Sequence, residues 1–258
     1  VDLNPVAWWT AKKAVEPVDL ETLDAAFHQL EVRVAERIRH FYKTTCPCCQ
    51  READVLYIFW VKVAPCLNCG RLIRLHANHI LTSYRDRTVV HCPACGHVFE
   101  TAENRKSTCP RCEQAFDARR GAVKRASYVC PVCSHRNTTI EAARRNGEPL
   151  GQEIFAVSYL CLVHGQGFKA ADEGDQELYR EAEREFVAQR DSLRFPRQAI
   201  PAGLKTDDLL NHNYRYWHQL FNPRQLLCLD MLLGAILQFE DNNVQEFMLT
   251  LFSCVLEF

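Results

Sequence analysis

The amino-acid sequence predicts a mixed α+β protein in which a cysteine-rich module of short strands lies between helical segments. Two observations predict this fold class. Five C-x-x-C pairs follow one another within residues 46–133, and apolar residues recur every three or four positions in the segments on either side. The chain has 258 residues, of which 47% are hydrophobic and 24% are charged. This composition is typical of a globular protein and excludes a disordered tail.

The cysteines indicate metal binding rather than a membrane protein or a disulfide scaffold. The longest apolar stretch, Leu226–Phe239, contains Asp230 and is shorter than the roughly 18 residues that a membrane span requires. No signal peptide is present, and secreted disulfide scaffolds are usually much shorter than this chain. We therefore expect a cytoplasmic protein without a membrane partner, whose 14 cysteines serve mainly as metal ligands.

The five pairs have the spacing of zinc knuckles. Two intervening residues allow a tight turn in which both thiolates point at one tetrahedral ion. Proline follows the first cysteine in four pairs and glycine follows the second in two, and both residues favour such a turn. A C-L-V-H segment supplies a sixth half-site. The twelve candidate ligands, enough for three zinc ions, are Cys46, Cys49, Cys66, Cys69, Cys92, Cys95, Cys109, Cys112, Cys130, Cys133, Cys161 and His164.

The pairing of these half-sites stays open at the level of the sequence. Thirteen residues separate Cys95 from Cys109, enough for one short hairpin, so we favour a site made by the third and fourth pairs. The second pair would then join the fifth, and the first pair would join the C-L-V-H segment. Sequential pairing is the alternative. Disulfides and an iron–sulfur cluster also use cysteine, but cluster ligands usually form tighter runs than these.

The remaining cysteines and the histidines near the knuckles are interpreted without metal. Cys48 lies inside the first pair and is expected to be a bystander. Cys228 and Cys254 fall in apolar helical patterns, so we expect both to be buried as small hydrophobic side chains. The histidines expected to be strand or turn residues are His91, His97 and His135.

Periodicity and capping patterns predict the elements outside the knuckles. Apolar residues three and four positions apart predict a helix from about Asp19, its N-cap, to Tyr42. The nearly all-apolar segment Val55–Ala64 predicts a strand buried on both faces. Asn222, followed by proline and by Gln225, predicts a helix start with a capping box. The other predicted elements are two strands in 152–170, a polar helix over 173–194, and apolar helices over 226–239 and 244–258.

These elements divide the chain into three parts, residues 1–42, 43–170 and 171–258, and charge follows this division. Residues 46–145 contain 16 Lys and Arg and 8 Asp and Glu, a net charge of +8, whereas the rest of the chain carries −9. A basic module on an acidic body favours a phosphate-bearing partner. The alternative is an ordinary solvated surface on a module with little core.

Several segments carry a family resemblance in the order in which they occur. The most specific are DLNP near the start, FWVK in the predicted strand and FNPRQLL before the last helices. With the knuckles, these segments resemble bacterial adenine-specific DNA methylases that carry zinc-ribbon insertions, and the resemblance covers nearly the whole chain. The full segments are VDLNPVAWWTAKKAVEPVD, CPCCQREADVLYIFWVKVAPCLNCG, CPACG, CPRC, GFKAADEGDQELYREAE and YRYWHQLFNPRQLLCLDML.

The resemblance implies an S-adenosylmethionine-dependent methyltransferase that acts on adenine N6 in DNA. The implied fold is a partial Rossmann-like class I methyltransferase with an inserted multi-zinc-ribbon module and flanking helices. Asp2 matches the acid that binds the cofactor ribose in this family. The twelve knuckle residues match metal ligands, although His164 stands where many relatives have a second cysteine. Cys48 and Gln50 depart from the usual C-P-x-C-G form of the first knuckle.

Two motifs on which amino methyl transfer depends are missing from the sequence. They are the Gly-rich loop after the first strand, and an Asp/Asn-Pro-Pro-aromatic motif that binds the target amine and stacks on the flipped base. The Asn-Pro pairs at positions 4–5 and 222–223 lack the second proline and the aromatic residue. We therefore expect that this chain alone does not methylate DNA, and that the two motifs would lie before Val1 and after Phe258.

In such an enzyme, we expect the zinc module to hold the DNA duplex through phosphate contacts. A non-enzymatic zinc-ribbon module that binds nucleic acid or protein is the first alternative, and a purely structural zinc insertion is the second. A redox role for the C-x-x-C pairs would require reactive thiols, which bound zinc removes. The candidate phosphate contacts are Arg71, Arg74, Arg85, Arg87, Arg105, Lys106, Arg119, Arg120, Lys124 and Arg125.

Overall fold

The computed structural model describes residues 4–102 and 105–256, and the chain divides into two compact units. We call them the helical unit and the knuckle unit, and each contains its own buried core. The helical unit consists of residues 1–41, 181–195 and 221–258, and the knuckle unit consists of residues 42–180 and 196–220.

The first boundary between the units lies between residues 41 and 42. Two segments differ from the expected division, because residues 171–180 and 196–220 cluster with the knuckle unit rather than with a separate C-terminal helical part. The two units nevertheless have opposite net charges. The helical unit carries a net charge of −7 and the knuckle unit carries +6.

The helices follow the predicted periodic segments closely. A π-helical turn over Glu31–Ala35 joins α2 (Leu20–Leu30) to α3 (Glu36–His40), so the helix expected after Asp19 is one continuous helical stretch. A 3-10 turn covers Trp217–Leu220. The α-helices are α1 (Pro5–Val15), α2 (Leu20–Leu30), α3 (Glu36–His40), α4 (Thr139–Asn146), α5 (Glu173–Gln189), α6 (Asp207–Asn211), α7 (Pro223–Ile236) and α8 (Asn242–Val255).

Both predicted helix caps are confirmed. The carboxylate of Asp19 accepts a hydrogen bond from the N–H of Thr22 at 3.0 Å, which satisfies a donor that the first turn leaves unpaired. At the start of α7, the side chain of Asn222 accepts from the N–H of Gln225 at 3.0 Å, and the side chain of Gln225 accepts from the N–H of Asn222 at 3.0 Å. This reciprocal pair is a complete capping box.

The core of the helical unit forms where α2 and the π-helical turn meet α7 and α8. Leu30 and Val34 lie four residues apart, and therefore on one face of their helical stretch. They pack in one buried cluster with Ile236 and Met248, which are each only 1% exposed. The amphipathic pattern that predicts these helices thus also predicts the faces that they bury.

Short antiparallel strands build the knuckle unit, and every strand pair among the described residues is antiparallel. The strands are β1 (Lys43–Thr45), β2 (Glu52–Pro65), β3 (Leu72–Arg74), β4 (Ile80–Ser83), β5 (Thr88–His91), β6 (Val98–Thr101), β7 (Ser107–Thr108), β8 (Ala115–Phe116), β9 (Val123–Lys124), β10 (Ser127–Val129), β11 (Arg136–Thr138), β12 (Gln152–Cys161) and β13 (Gly165–Ala170). The largest sheet has the strand order β1-β2-β12-β13, and β3 also pairs with β2. The smaller sheets have the orders β4-β5-β6, β7-β8 and β11-β10-β9.

Strand β2 confirms the predicted strand but not its predicted burial on both faces. Val61 and Ala64 are buried, whereas Leu56 is 42% exposed and Tyr57 is 68% exposed. The prediction was wrong because a run of apolar residues does not reveal whether both faces of a strand are covered. The two strands predicted within 152–170 are confirmed as β12 and β13, which form an antiparallel pair.

The mixed α+β class is confirmed, and its sheets are small and antiparallel. A Rossmann-like sheet is built from parallel strands, so that part of the expected fold stays a prediction. Within the part of the chain that the structure describes, no helix is long and apolar enough to cross a membrane.

Candidate metal centres

All six half-sites share one backbone feature. The residue after the second ligand has a left-handed φ, which only glycine adopts without strain. In the five C-x-x-C knuckles, its N–H donates to the carbonyl oxygen of the first cysteine at 2.9–3.0 Å and so closes the turn. The φ values are +58° at Gln50, +73° at Gly70, +72° at Gly96, +59° at Glu113, +58° at Ser134 and +71° at Gly165. Gln50 therefore replaces the usual glycine without changing the turn.

The half-sites combine into three groups of four ligands, in the nested arrangement that the sequence favoured. The ligand atoms of each group all lie within 4.8 Å of one another. The first group is Cys46, Cys49, Cys161 and His164, the second is Cys66, Cys69, Cys130 and Cys133, and the third is Cys92, Cys95, Cys109 and Cys112.

The spacing of the sulfur atoms suits a tetrahedral zinc ion. Between paired half-sites, the sulfurs lie 3.5–3.7 Å apart. A tetrahedron with Zn–S bonds of ~2.3 Å has S···S edges of about 3.8 Å. A disulfide requires a sulfur separation of about 2.05 Å, and all 14 cysteines are free thiols. The three groups could each hold zinc, which is the cofactor expected from the sequence.

His164 is the one histidine among the ligands of the three groups, and it completes the first group. Its Nδ1 lies 3.7 Å from the sulfur of Cys46 and 3.7 Å from the sulfur of Cys161. Tyr159 packs in the same buried cluster, and its ring lies over Gly167 on the adjacent strand. A Cβ at Gly167 would lie 2.5 Å from that ring, so the close packing beside the ligands requires glycine there. Burial, with the nearby sulfur of Cys46, raises the pKa of Tyr159 to about 12.

A buried asparagine connects the two knuckles of the second group. Asn137 has no exposed surface; its side-chain oxygen accepts from the N–H of Leu67 at 2.8 Å, and its amide donates to the carbonyl of His135 at 2.9 Å. Tyr128, which is 1% exposed, donates its hydroxyl to the carbonyl of Pro65 at 2.8 Å. These hydrogen bonds hold the two turns in fixed register and so preorganise the ligands.

Hydrogen bonds and burial divide the thiols of the second group by acidity. Burial acts to raise the pKa of Cys66, but donation by the backbone N–H groups of Cys69 and Asn68 outweighs it, and the pKa falls to about 6. The N–H of Arg71 acts to lower the pKa of Cys69, but burial and the neighbouring thiols raise it to about 12. A divalent cation stabilises every thiolate around it and displaces the remaining protons.

The third group shows the same division. Burial acts to raise the pKa of Cys109, but the N–H groups of Cys112 and Arg111 lower it to about 7. The N–H of Gln114 acts to lower the pKa of Cys112, whereas burial and the other sulfurs raise it to about 12. The second and third groups therefore each present a thiol that ionises readily, and the thiolate is the form that binds a metal.

The cysteines outside the groups behave differently from one another. Cys48 is exposed beside the first group, and Cys228 is buried in α7 as expected. Cys254 is exposed, so its predicted burial was wrong. The buried residues of α8, Val244 and Met248, lie four positions apart on one face. Cys254 follows Met248 by six positions, which places it about 120° around the helix from that face.

A cluster of three histidines was missed at the level of the sequence. One nitrogen from each ring of His76, His79 and His91 lies within 4.8 Å of the other two. His91 ends β5, as expected of a strand residue, but its ring meets both other histidines. The H-x-x-H spacing of His76 and His79 was the available sequence pattern, and it was overlooked beside the more regular C-x-x-C pairs.

Burial keeps the imidazoles of this histidine cluster neutral. Desolvation, with smaller contributions from the neighbouring histidines and Arg74, lowers the pKa of His91 to about 3 and that of His76 to about 4. Desolvation also lowers the pKa of His79. Neutral imidazoles can share hydrogen bonds or bind a metal, whereas charged ones would repel each other.

A cleft of about 500 Å³ opens beside the histidine cluster within the knuckle unit. Lys62 and Arg125 line it with two histidines, His76 and His212, and no acidic residue is among the described residues that line it. The amine of Lys62 lies 3.3 Å from the hydroxyl of Tyr214, which is a neutral partner. The cleft therefore offers cationic groups beside the aromatic rings of Trp60 and Phe155.

The ten candidate phosphate contacts are all exposed, but ion pairs already engage three of them. Those three are Arg74 with Glu153 at 2.7 Å, Arg87 with Glu100 at 3.1 Å and Arg120 with Asp117 at 3.3 Å. In the described part of the chain, no ion pair engages Arg71, Arg85, Arg119, Lys124 or Arg125. Arg105 and Lys106 are exposed and follow residues 103 and 104, which lie outside the described residues.

The predicted ribose-binding acid, Asp2, lies outside the described residues. The next residue but one, Asn4, caps α1 with its side chain, which accepts from the N–H of Val6 at 3.0 Å. Comparisons with protein-family models, with curated proteins and with solved structures found no match to this chain.

Proposed function

We propose that this chain is the zinc-bearing, DNA-contacting part of an S-adenosylmethionine-dependent DNA methyltransferase that acts on adenine N6. Three ligand groups with zinc geometry support the zinc-ribbon part of the proposal. The methyltransferase part is supported by the DLNP, FWVK and FNPRQLL segments of the sequence. In this proposal the zinc module binds the duplex and Asp2 contributes a hydrogen bond to the ribose of the cofactor.

The observation that carries DNA contact is the cleft without acidic lining residues. Lys62 and Arg125 supply positive charge there, and Trp60 and Phe155 supply aromatic surface. Cations attract phosphates, and aromatic faces stack on bases, so this combination is typical of nucleic-acid surfaces. The charge difference between the units, +6 against −7, supports the knuckle unit, which contains the cleft, as the part that contacts phosphates.

The catalytic contribution of this chain would be to position DNA rather than to transfer the methyl group. The cofactor, when bound, supplies a methyl group already activated as a sulfonium. Amino methyl transfer then depends on holding the amine in line with that group. Phosphate contacts by the exposed arginines would fix the register of the duplex, and the zinc groups would keep those arginines on a rigid surface.

Fluorescence anisotropy of a labelled DNA duplex tests the DNA contact. We expect affinity to fall steeply with salt, by a log–log slope of about 0.9 for each phosphate contact. The double variant Arg119→Glu/Arg125→Glu should lower the affinity and reduce that slope by about 2. Arg39→Glu, on the acidic helical unit, is the matched control and should change neither quantity. Salt-independent binding, or equal affinity of the double variant and the wild type, would contradict the proposal.

Methyl transfer separates the enzyme from the alternative of a non-enzymatic zinc-ribbon module. We expect no transfer from labelled S-adenosylmethionine to adenine-containing duplex by this chain alone, because it lacks the amine-binding motif. A longer protein should transfer the methyl group if its reading frame adds a Gly-rich loop before the chain and an Asp/Asn-Pro-Pro-aromatic motif after it. Failure of that longer protein to methylate DNA, with DNA binding intact, would favour the non-enzymatic module.

A further inference from the structure

The three-histidine cluster points to a fourth metal site. We propose that His76, His79 and His91 bind a divalent late transition metal, with zinc as the reference ion, separately from the three cysteine groups. The inference does not depend on the proposed function, because it concerns metal content rather than DNA or methyl transfer.

The distances between the rings suit metal ligation. Nδ1 of His79 lies 3.3 Å from Nδ1 of His91, and Nε2 of His91 lies 3.2 Å from the nearer ring nitrogen of His76. Two imidazoles bound at ~2.0–2.1 Å in a tetrahedral site have nitrogens about 3.3–3.4 Å apart. His91 faces its two neighbours with different nitrogens, so binding one ion requires one imidazole to turn about its Cβ–Cγ bond.

The backbone holds the three histidines in place from several directions. The N–H of His91 donates to the carbonyl of His79 at 2.9 Å, and the N–H of His79 donates to the carbonyl of Ala118 at 2.7 Å. Gly121 packs directly on His76, because a Cβ there would lie 1.9 Å from the His76 carbonyl oxygen. Because the backbone is fixed in this way, metal binding requires little further ordering beyond the rotation of one imidazole ring.

The ligand set indicates the kind of metal. Three neutral imidazoles suit zinc, copper, nickel or iron and exclude the hard cations calcium and magnesium, which take oxygen ligands. No fourth Cys, His, Asp or Glu joins this group within the described residues. Three protein ligands leave one position for water or another small ligand, as in zinc sites that are not fully closed. His76 also lines the cleft, so the site lies beside an open space that a small ligand could enter.

Cobalt titration of the full chain tests the proposal with a readout that does not depend on activity. Cobalt bound by thiolates shows sulfur-to-metal charge-transfer absorption, whereas cobalt bound by three imidazoles shows only its ligand-field bands. We expect three equivalents that add charge-transfer absorption and a fourth equivalent that adds ligand-field absorption alone. Elemental analysis of the zinc-loaded chain should likewise give four ions in the wild type.

Matched histidine variants assign the fourth equivalent. His76→Gln and His79→Gln should each lose it and keep the three sulfur-bound ions, which also shows that the variants fold. His97→Gln is the control: His97, like His76, is half-buried, but its ring stacks on Phe99 and lies outside the cluster. A count of three ions in the wild type would overturn the proposal, regardless of the counts in the variants. The three histidines would then form a hydrogen-bonded cluster without a metal. Retention of the fourth ion in both variants would overturn it as well.

Discussion

Replacement of Gly96 by alanine tests whether the shared left-handed turn contributes to metal affinity. Gly96 has a φ of +72°, and no atom lies within 4 Å of the place that an added Cβ would occupy. The cost of alanine is therefore backbone strain alone, ~1–2 kcal/mol. Restriction of the unfolded chain offsets ~0.4–1 kcal/mol of this strain. The net loss is about 1 kcal/mol, or about fivefold in an equilibrium constant.

This strain should appear as weaker metal binding, because a structural zinc site and its turn form together. Competition with a zinc chelator should show a loss of about fivefold at the third group only. The opposite change, Ser134→Gly, removes strain at a φ of +58° and should tighten the second group by a similar factor. Gly203→Ala is the control, since Gly203 does not have a left-handed φ and a Cβ there would be 3.7 Å from Thr206.

Two results would refute this reasoning. Equal zinc affinity of Gly96→Ala and the wild type would mean that the left-handed turn carries no strain. A uniform loss at all three groups would mean that the substitution destabilises the whole knuckle unit rather than one turn. Because Gly96 and Ser134 belong to different groups, the two substitutions should also combine additively.

Three further predictions concern the knuckle unit. Asn137→Ala should lower the free energy of unfolding in urea by about 1–3 kcal/mol, because it leaves the buried N–H of Leu67 without its acceptor. Gly121→Ala should lower the melting temperature far more than Gly203→Ala, because its Cβ would collide with the backbone of His76. The folded pKa values of His76 and His91, about 4 and about 3, lie below the ordinary 6.5, so the unfolded chain binds more protons on acidification. The free energy of unfolding should therefore have its full value above pH 6.5 and fall as the pH drops towards 4. The fall should be shallower in His76→Gln than in the wild type. An equal pH dependence of the two proteins would contradict this prediction.

Removal of metal should affect the two units unequally. Ligand cysteines form part of the buried clusters around the first and second groups, whereas the described core of the helical unit contains none of the ligand cysteines. Dialysis against a chelator should therefore abolish the near-ultraviolet dichroism of the buried tyrosines, Tyr128 and Tyr159, while most of the helical far-ultraviolet signal persists. Loss of both signals together would contradict separate cores.

The sequence predicts the elements and ligand groups well, because each rests on local chemistry. The C-x-x-C spacing predicts the knuckle turns, and Asn222 with Gln225 predicts the start of α7. Local patterns do not report which surfaces meet in three dimensions. For that reason the exposure of Tyr57 and of Cys254 was predicted wrongly. The meeting of His91 with His76 was missed for the same reason, because it depends on how β5 packs against the loop between β3 and β4.

The predictions that rest on the family resemblance differ from these local predictions. The described residues contain three ligand groups that could hold zinc, whereas the cofactor site would depend on Asp2, which lies outside them. A resemblance carried by short segments predicts an activity without supplying its catalytic motif. Methyl transfer therefore stays a prediction of the sequence, and it is the DNA-binding and transfer measurements that test it.

The nested ligand groups determine the order in which the knuckle unit can close as the chain is synthesised. Paired ligands lie 14 and 20 residues apart in the third group, 61 and 67 apart in the second, and 112 and 118 apart in the first. Each doubling of a loop adds about 0.6 kcal/mol to the cost of closure, so the outermost loop would cost about 2 kcal/mol more than the innermost. Closing the inner groups first shortens the loop that remains. The unit can therefore assemble from its innermost group outward, and its last group can form only after His164 has left the ribosome.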